Sequence, residues 1–244
     1  MKLFVDTANL TDIESAFRRG FVEGVTTNPS LLAKEPKTKF ELHIGEIVNL
    51  IRKYKDGAHL SVEVFSNDPD EILRQAKNFI KVFNYPSLSI KIQIGWNELE
   101  VIHRLAKEGI AVNCTACMTV SQAVMAAQAG ARYVSLFWGR IRDAGKDVKF
   151  AKERSDALEA RTLEEDDFDP IKVIQKTRDI LERQQLPAKI IVGSIRGARD
   201  IIDAGLAGAH IITVPPKFFP AMTSHYKTDE VVEQFLSDFQ AWLK

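Results

Sequence analysis

Little in the 244-residue chain offers redox chemistry, a membrane span or a broad field for a charged partner. There are two cysteines, Cys114 and Cys117, too few for a disulfide framework, and a reducing, cytoplasmic setting is the expectation. Their C-x-x-C spacing suggests a redox pair or half a zinc site. Positions i and i+3 of a strand face opposite ways, however, and no second Cys/His pair has ligand spacing, so neither role is expected. The five histidines, His43, His59, His103, His210 and His225, form no cluster; no metal and no cofactor are expected. Thirty-three basic residues balance 33 acidic ones, so no net charge draws in nucleic acid or an anionic membrane. No apolar run approaches the ~20 residues of a membrane helix, and the stretch from Met1 to Asp6 lacks the apolar region of a signal peptide. No Gly-x-Gly-x-x-Gly follows the first expected strand, which removes the usual mark of a Rossmann nucleotide site.

What the chain does have is alternation. Strand patterns fall at Lys2–Thr7, Gly24–Ser30, Leu60–Phe65, Ser87–Trp96, Ile110–Ala116, Tyr133–Trp138, Lys189–Ser194 and His210–Val214. Helical spacing separates them. Thr11 to Glu14 has the form of a capping box, and Asp68-Pro69 and Asp169-Pro170 each pair an N-cap with a first-turn proline. Residues 146–169, with the acidic run Glu164–Asp167, predict a long charged loop with some helix. A last helix over about 229–243 carries Val231, Val232, Phe235, Phe239 and Trp242, to pack on its own barrel or exchange between subunits. Eight βα units in this length, with no linker and no short-period repeat, predict an α/β fold: one (β/α)8 TIM barrel domain over 1–244 with an additional C-terminal helix.

Within that frame the fourth strand stands out. At period two, Leu88, Ile90, Ile92 and Ile94 lie on one face, and Ser89, Lys91 and Gln93 on the other. Lys91 is thus expected mid-strand among apolar neighbours. Burial there disfavours the ammonium and favours the amine that attacks carbonyls. On the strand alone, a lysine on an edge strand or one paired with a carboxylate such as Glu63 is the favoured reading. Polar residues at the other strand ends bear on the choice: Asp6, Thr26, Thr27 and Asn28, Glu63, Asn113 and Thr115, Ser135, then Ser194 and Arg196, with Arg140 just past the sixth strand. Barrel chemistry gathers at those ends. Together they suit an imine route. Lys91 attacks a ketone, a carboxylate moves protons, a carboxylate and a hydroxyl hold a water, and the late arginines suit a phosphate.

Phe4 to Thr7, Gly24 to Ser30 with its Thr-Thr-Asn-Pro-Ser run, Ile90-Lys91-Ile92 and Phe137 to Ile141 resemble the transaldolase family, including the fructose-6-phosphate aldolases, over nearly the whole chain. The resemblance implies a barrel without metal and a Schiff-base lysine on strand four, matched by Lys91. It implies Asp6 as general acid/base and Glu63 with Thr115 as holders of the catalytic water. Thr27, Asn28, Asn113 and Ser135 match positions near the donor's hydroxyls; Arg140, Ser194 and Arg196 match phosphate positions. Glu63 and Phe137 resemble the transaldolase choice where the aldolases carry Gln and Tyr, and Trp96 is also transaldolase-like. The implied partners are phosphorylated, or sulfonated, ketose and aldose substrates. Small relatives also resemble decamers of pentamer rings, which implies a homo-oligomer.

Overall fold

The computed structural model describes residues 1–243. Eight parallel strands, β1 (Lys2–Asp6), β2 (Val22–Thr26), β3 (His59–Glu63), β4 (Leu88–Gln93), β5 (Val112–Cys117), β6 (Tyr133–Phe137), β7 (Lys189–Gly193) and β8 (Ile211–Val214), form a closed barrel in chain order. It shuts where β8 pairs with β1, through Lys2 with Ile211 and Phe4 with Thr213. The helices are α1 (Leu10–Arg18), α2 (Pro29–Leu32), α3 (Phe40–Lys55), α4 (Pro69–Phe83), α5 (Trp96–Lys107), α6 (Val120–Gln128), α7 (Trp138–Ala144), α8 (Ala151–Glu159), α9 (Pro170–Arg183), α10 (Ala198–Leu206), α11 (Phe219–Thr223) and α12 (Tyr226–Trp242). The fold is therefore the expected (β/α)8 TIM barrel. No helix among the described residues is long and apolar enough to cross a membrane.

Several boundaries differ from the sequence pattern, each for a local reason. Asn9, not Thr11, caps α1: its side chain accepts the Asp12 N–H at 3.0 Å. The caps of α4 and α9 are as expected, with Asp68 accepting from Glu71 and Asp169 from Ile171. Trp138 opens α7 instead of ending β6. The charged stretch 146–169 is more helical than its composition suggests, holding α8 and two 3-10 turns, with no buried residue in any of the three. The final helix begins at Tyr226, three residues before the expected start. It does not pack on its own barrel: Val231, Val232, Phe235, Leu236, Phe239 and Trp242 are all exposed.

Period two divides each strand between two environments. Val62, Ile90, Ile92, Val112, Val134 and Val192 face the helices in one continuous core, all with no exposed surface. Each such side chain stabilises the fold by about 1.5–3 kcal/mol, which holds the strands rigid beneath the site. The inner face is different. Phe4, Ile191 and Ile211, with Tyr133 against them, plug its N-terminal end. Gly24 makes room there, since a Cβ would lie 2.9 Å from both the Phe4 and His59 side chains, which stack at 5.1 Å. Above the plug the interior is polar: Ser61, Ser89, Asn113, Ser135 and Thr213 are all buried. The apolar neighbours expected for Lys91 lie on the outside of its strand; barrel closure is what buries Lys91.

Candidate active site

Strand register sets the first row of the site. Glu63 pairs with Lys91, Lys91 with Asn113, and Gln93 with Thr115. Neighbouring parallel strands lie about 4.8 Å apart, so Glu63, Lys91 and Asn113 are adjacent on the inner face. Lys91 Nζ sits 2.8 Å from Glu63 Oε2 and donates to the Thr27 carbonyl at 2.9 Å. The side chains of Lys91 and Glu63 are 7% and 20% exposed, which makes this the one deeply buried ion pair among the described residues. The ion-pair reading of Lys91 is thus what the resting geometry contains.

Asp6, from β1, has a different setting. Its Oδ1 accepts from the Thr26 hydroxyl at 2.7 Å, and Thr26 is in turn hydrogen-bonded to Thr213. Burial pushes the Asp6 carboxyl above the ordinary aspartate value; the Lys91 charge and the Thr26 hydroxyl pull it down, and Glu63 pushes it up again. Two carboxylates on one face thus differ in environment, one ion-paired and one raised by burial, as carboxylates with separate acid and base duties do.

Thr115 has a buried hydroxyl with no hydrogen-bond partner in the protein. A buried polar atom left so points to a group the fold does not itself supply. Asn113 is fully buried, accepting from Ser135 Oγ at 2.7 Å and donating to Ser61 Oγ at 3.2 Å. Ser61 and Ser89 are 2.8 Å apart, and both contact His59 Nε2. A hydrogen-bonded chain therefore runs down the barrel from Ser135 to His59. Ser61, Ser89 and His59 were not selected from the sequence; their shared parity with Glu63 and Lys91 was the available signal.

The remaining residues divide by what already holds them. Thr27 donates its hydroxyl to the Ser61 carbonyl, and Asn28 caps α2 by accepting from Leu31 N–H at 3.0 Å. Phe137 ends β6 opposite Gly193. Arg140 is exposed on α7, while Arg196 follows β7 and meets Asp143 at 3.2 Å. Ser194 takes a left-handed conformation (φ 59°), and its carbonyl accepts the Gly139 N–H at 3.0 Å. A Cβ on Gly139 would lie 2.6 Å from that carbonyl and closer still to Arg196 Nε, so only glycine lets α7 approach. Gly139 and Asp143 support the site without having been chosen as site residues, while Thr26, among the strand-end polar residues, holds Asp6; the glycine inside Trp-Gly-Arg was the one readable hint of the close approach.

The cysteines require a correction. An extra residue in β5 shifts its register against β6 between Cys114 and Cys117, and Ala116 takes φ 61°. This bulge turns both thiols to one side, 3.9 Å apart, where a regular strand would oppose them. Both are buried, and contact with Cys114 together with burial holds the Cys117 thiol well above its ordinary range, the reverse of a reactive thiolate. Among the described residues no three His, Cys, Asp or Glu side chains gather as a metal site.

Comparison with known proteins identifies the family. The family model described as Transaldolase/Fructose-6-phosphate aldolase matches residues 3–243. Probable transaldolase 1 of Listeria monocytogenes serotype 4b (strain F2365) is 36% identical over 241 residues, 99% of each chain. The probable transaldolase of Carboxydothermus hydrogenoformans is 36% identical over 241 residues, again 99% of each, and that of Roseiflexus castenholzii 35% over 242, 99% of this chain and 98% of its own. The chain belongs to the transaldolase/fructose-6-phosphate aldolase family and is an enzyme of that class.

Proposed function

We propose that the protein is a transaldolase that moves a dihydroxyacetone unit from a ketose phosphate, fructose 6-phosphate or sedoheptulose 7-phosphate, to an aldose phosphate through a Schiff base on Lys91. The observation that carries this reading is a buried amine held between the Glu63 carboxylate and the Thr27 carbonyl, with Asp6 and Thr115 opening on the same interior. Transfer of a proton from Nζ to Glu63 frees the lone pair to attack the ketose carbonyl. The carbinolamine then loses its oxygen as water, protonated from Glu63 and held against Thr115 Oγ1. With the imine formed, Asp6 takes the hydroxyl proton on the carbon beyond the scissile bond. The bond breaks, its electrons enter the enamine, and the aldose phosphate departs. An incoming aldose reverses these steps, and hydrolysis returns Lys91. Asn113 and Ser135 bind donor hydroxyls, with Thr27 and Asn28 shaping the same wall. Phe137 bounds the pocket, and Arg140, Ser194 and Arg196 receive the phosphate. A sulfonated sugar such as sulfofructose presents similar anionic oxygens to those residues.

The second reading is a fructose-6-phosphate aldolase that releases dihydroxyacetone. Glu63 and Phe137 favour transfer, since both resemble the transaldolase choice where the aldolases carry Gln and Tyr. Two buried free thiols fit action in a reducing, cytoplasmic setting. The exposed apolar stripe of α12 fits a homo-oligomer, in which that helix lies on a neighbouring copy; a decamer is one such assembly.

Borohydride added with fructose 6-phosphate should fix a covalent adduct on Lys91, found by peptide mass. Absence of an adduct under turnover conditions overturns the imine route. Turnover without an acceptor aldehyde, at a rate comparable to that with one, favours the aldolase reading.

A further inference from the structure

A second cavity, of about 640 Å³, opens at the N-terminal end of the barrel, the end away from Lys91. Its walls are the starts of the strands, and four cationic side chains and two carboxylates line it: Lys2, Lys55, Arg132 and Lys189 against Glu23 and Asp56. The carboxylates are already engaged. Glu23 pairs with Lys55 and lies 3.8 Å from Lys2, and Asp56 accepts the Gly57 N–H. Arg132 and Lys189 are exposed and have no carboxylate within 4 Å among the described residues. The local field is accordingly positive. The His59 imidazole, on the cavity wall, is pushed down to about 3, first by burial and then by Arg132 and Lys2. Its Nε2 lies 2.7 Å from Ser61 Oγ and 3.0 Å from Ser89 Oγ. Phe4 stacks on one side of the ring and Tyr133 meets it edge-on at 4.7 Å, so its orientation is fixed.

We propose that this mouth is a binding site for a phosphate dianion, inorganic or carried on a small metabolite, held by Arg132, Lys189 and Lys2. A guanidinium fork beside two ammonium groups matches a dianion with several acceptor oxygens. The cavity volume lies within the range of small-molecule pockets, which leaves room for a carbon skeleton behind the phosphate. The site is separate from the proposed sugar-phosphate positions at Arg140 and Arg196, which stand at the other end of the strands.

Calorimetry with inorganic phosphate and with glycerol 3-phosphate tests this, with sodium chloride matching the ionic strength. The enzyme used first is Arg140→Ala/Arg196→Ala, so that heat from the catalytic end is removed. A saturable isotherm should remain. Adding Arg132→Ala/Lys189→Ala should weaken it about tenfold or more, with circular dichroism unchanged, because both side chains are exposed. Tighter binding of the ester assigns the site to a metabolite; equal affinity assigns it to free phosphate. No saturation of either probe by about 10 mM, or an isotherm indifferent to Arg132 and Lys189, overturns the proposal. Neither result depends on turnover, so the imine reading stands or falls separately.

Discussion

The buried ion pair makes a quantitative claim about stability. Consider Glu63→Gln, Lys91→Met and the double variant as a cycle. At 2.8 Å, two unit charges in an effective dielectric of about 20 attract by about 6 kcal/mol before desolvation is counted. Desolvation cancels much of this, and breaking a fully buried pair costs about 3–5 kcal/mol. Glu63 is 20% exposed, so water softens the loss, and about 2–3 kcal/mol is expected for each single variant. In a chain of this size that lowers Tm by about 5–10 °C. The double variant leaves neither charge stranded, so its loss should fall about 2 kcal/mol short of the sum of the singles. The Thr27 carbonyl loses its donor in both Lys91→Met species and drops out of the cycle. Urea unfolding of the four proteins measures the coupling. A value below about 0.5 kcal/mol would refute the view that Glu63 and Lys91 meet as a desolvated pair.

Other consequences follow from particular contacts. Gly139→Ala should push Arg196 and the Ser194 carbonyl away, raising KM for a phosphorylated ketose about tenfold with little change in kcat; steady-state kinetics decides this. Glu63→Gln with Phe137→Tyr should raise the ratio of free dihydroxyacetone release to transfer, and an unchanged ratio counts against the role given to that pair. Phe235→Asp with Phe239→Asp should shift the sedimenting species to smaller size without altering the far-ultraviolet spectrum, because both side chains stand clear of the barrel.

The sequence carried the barrel well because strand alternation is a local signal. Lys91, Glu63 and Asn113 could be placed on one face by counting alone, and their register follows once the strands are parallel and adjacent. Three things were not legible. Ala116 at positive φ carries no residue-type mark, since alanine rarely occupies that region, so the bulge that brings Cys114 and Cys117 together was invisible. The polar interior was hidden because Ser61 and Ser89 read as ordinary strand residues until closure stacked them on His59. The loop between β7 and α10 depends on Gly139 and Asp200 from outside it: Gly139 leaves space, and Asp200 accepts the Arg196 N–H at 3.0 Å and pairs with Arg142 at 3.2 Å. The Gly139 and Arg142 contacts are long-range closures that set where Arg196 stands, and no window of sequence contains them.

The division of labour between the two carboxylates can be tested through their effect on each other. Asp6 is raised by burial, and the Glu63 charge adds to that while Lys91 and Thr26 oppose it. Glu63→Gln removes a repulsive charge and leaves the Lys91 ammonium with Asp6 as its nearest anionic neighbour, so the Asp6 carboxyl should titrate at lower pH. Thr26→Val removes the hydroxyl that donates to the carboxylate at 2.7 Å, so Asp6 should titrate at higher pH. Because Asp6 works as a base in cleavage only when ionised, kcat should fall as pH drops through its raised value. The acid limb should therefore lie above 3.8, the ordinary value for aspartate, and move upward in Thr26→Val. Carbon-13 titration of the Asp6 carboxyl follows both variants directly, whatever their residual activity. If the two substitutions move Asp6 the same way, charge coupling across the barrel does not set its state, and the assignment of base to Asp6 and of proton partner to Glu63 loses its physical ground.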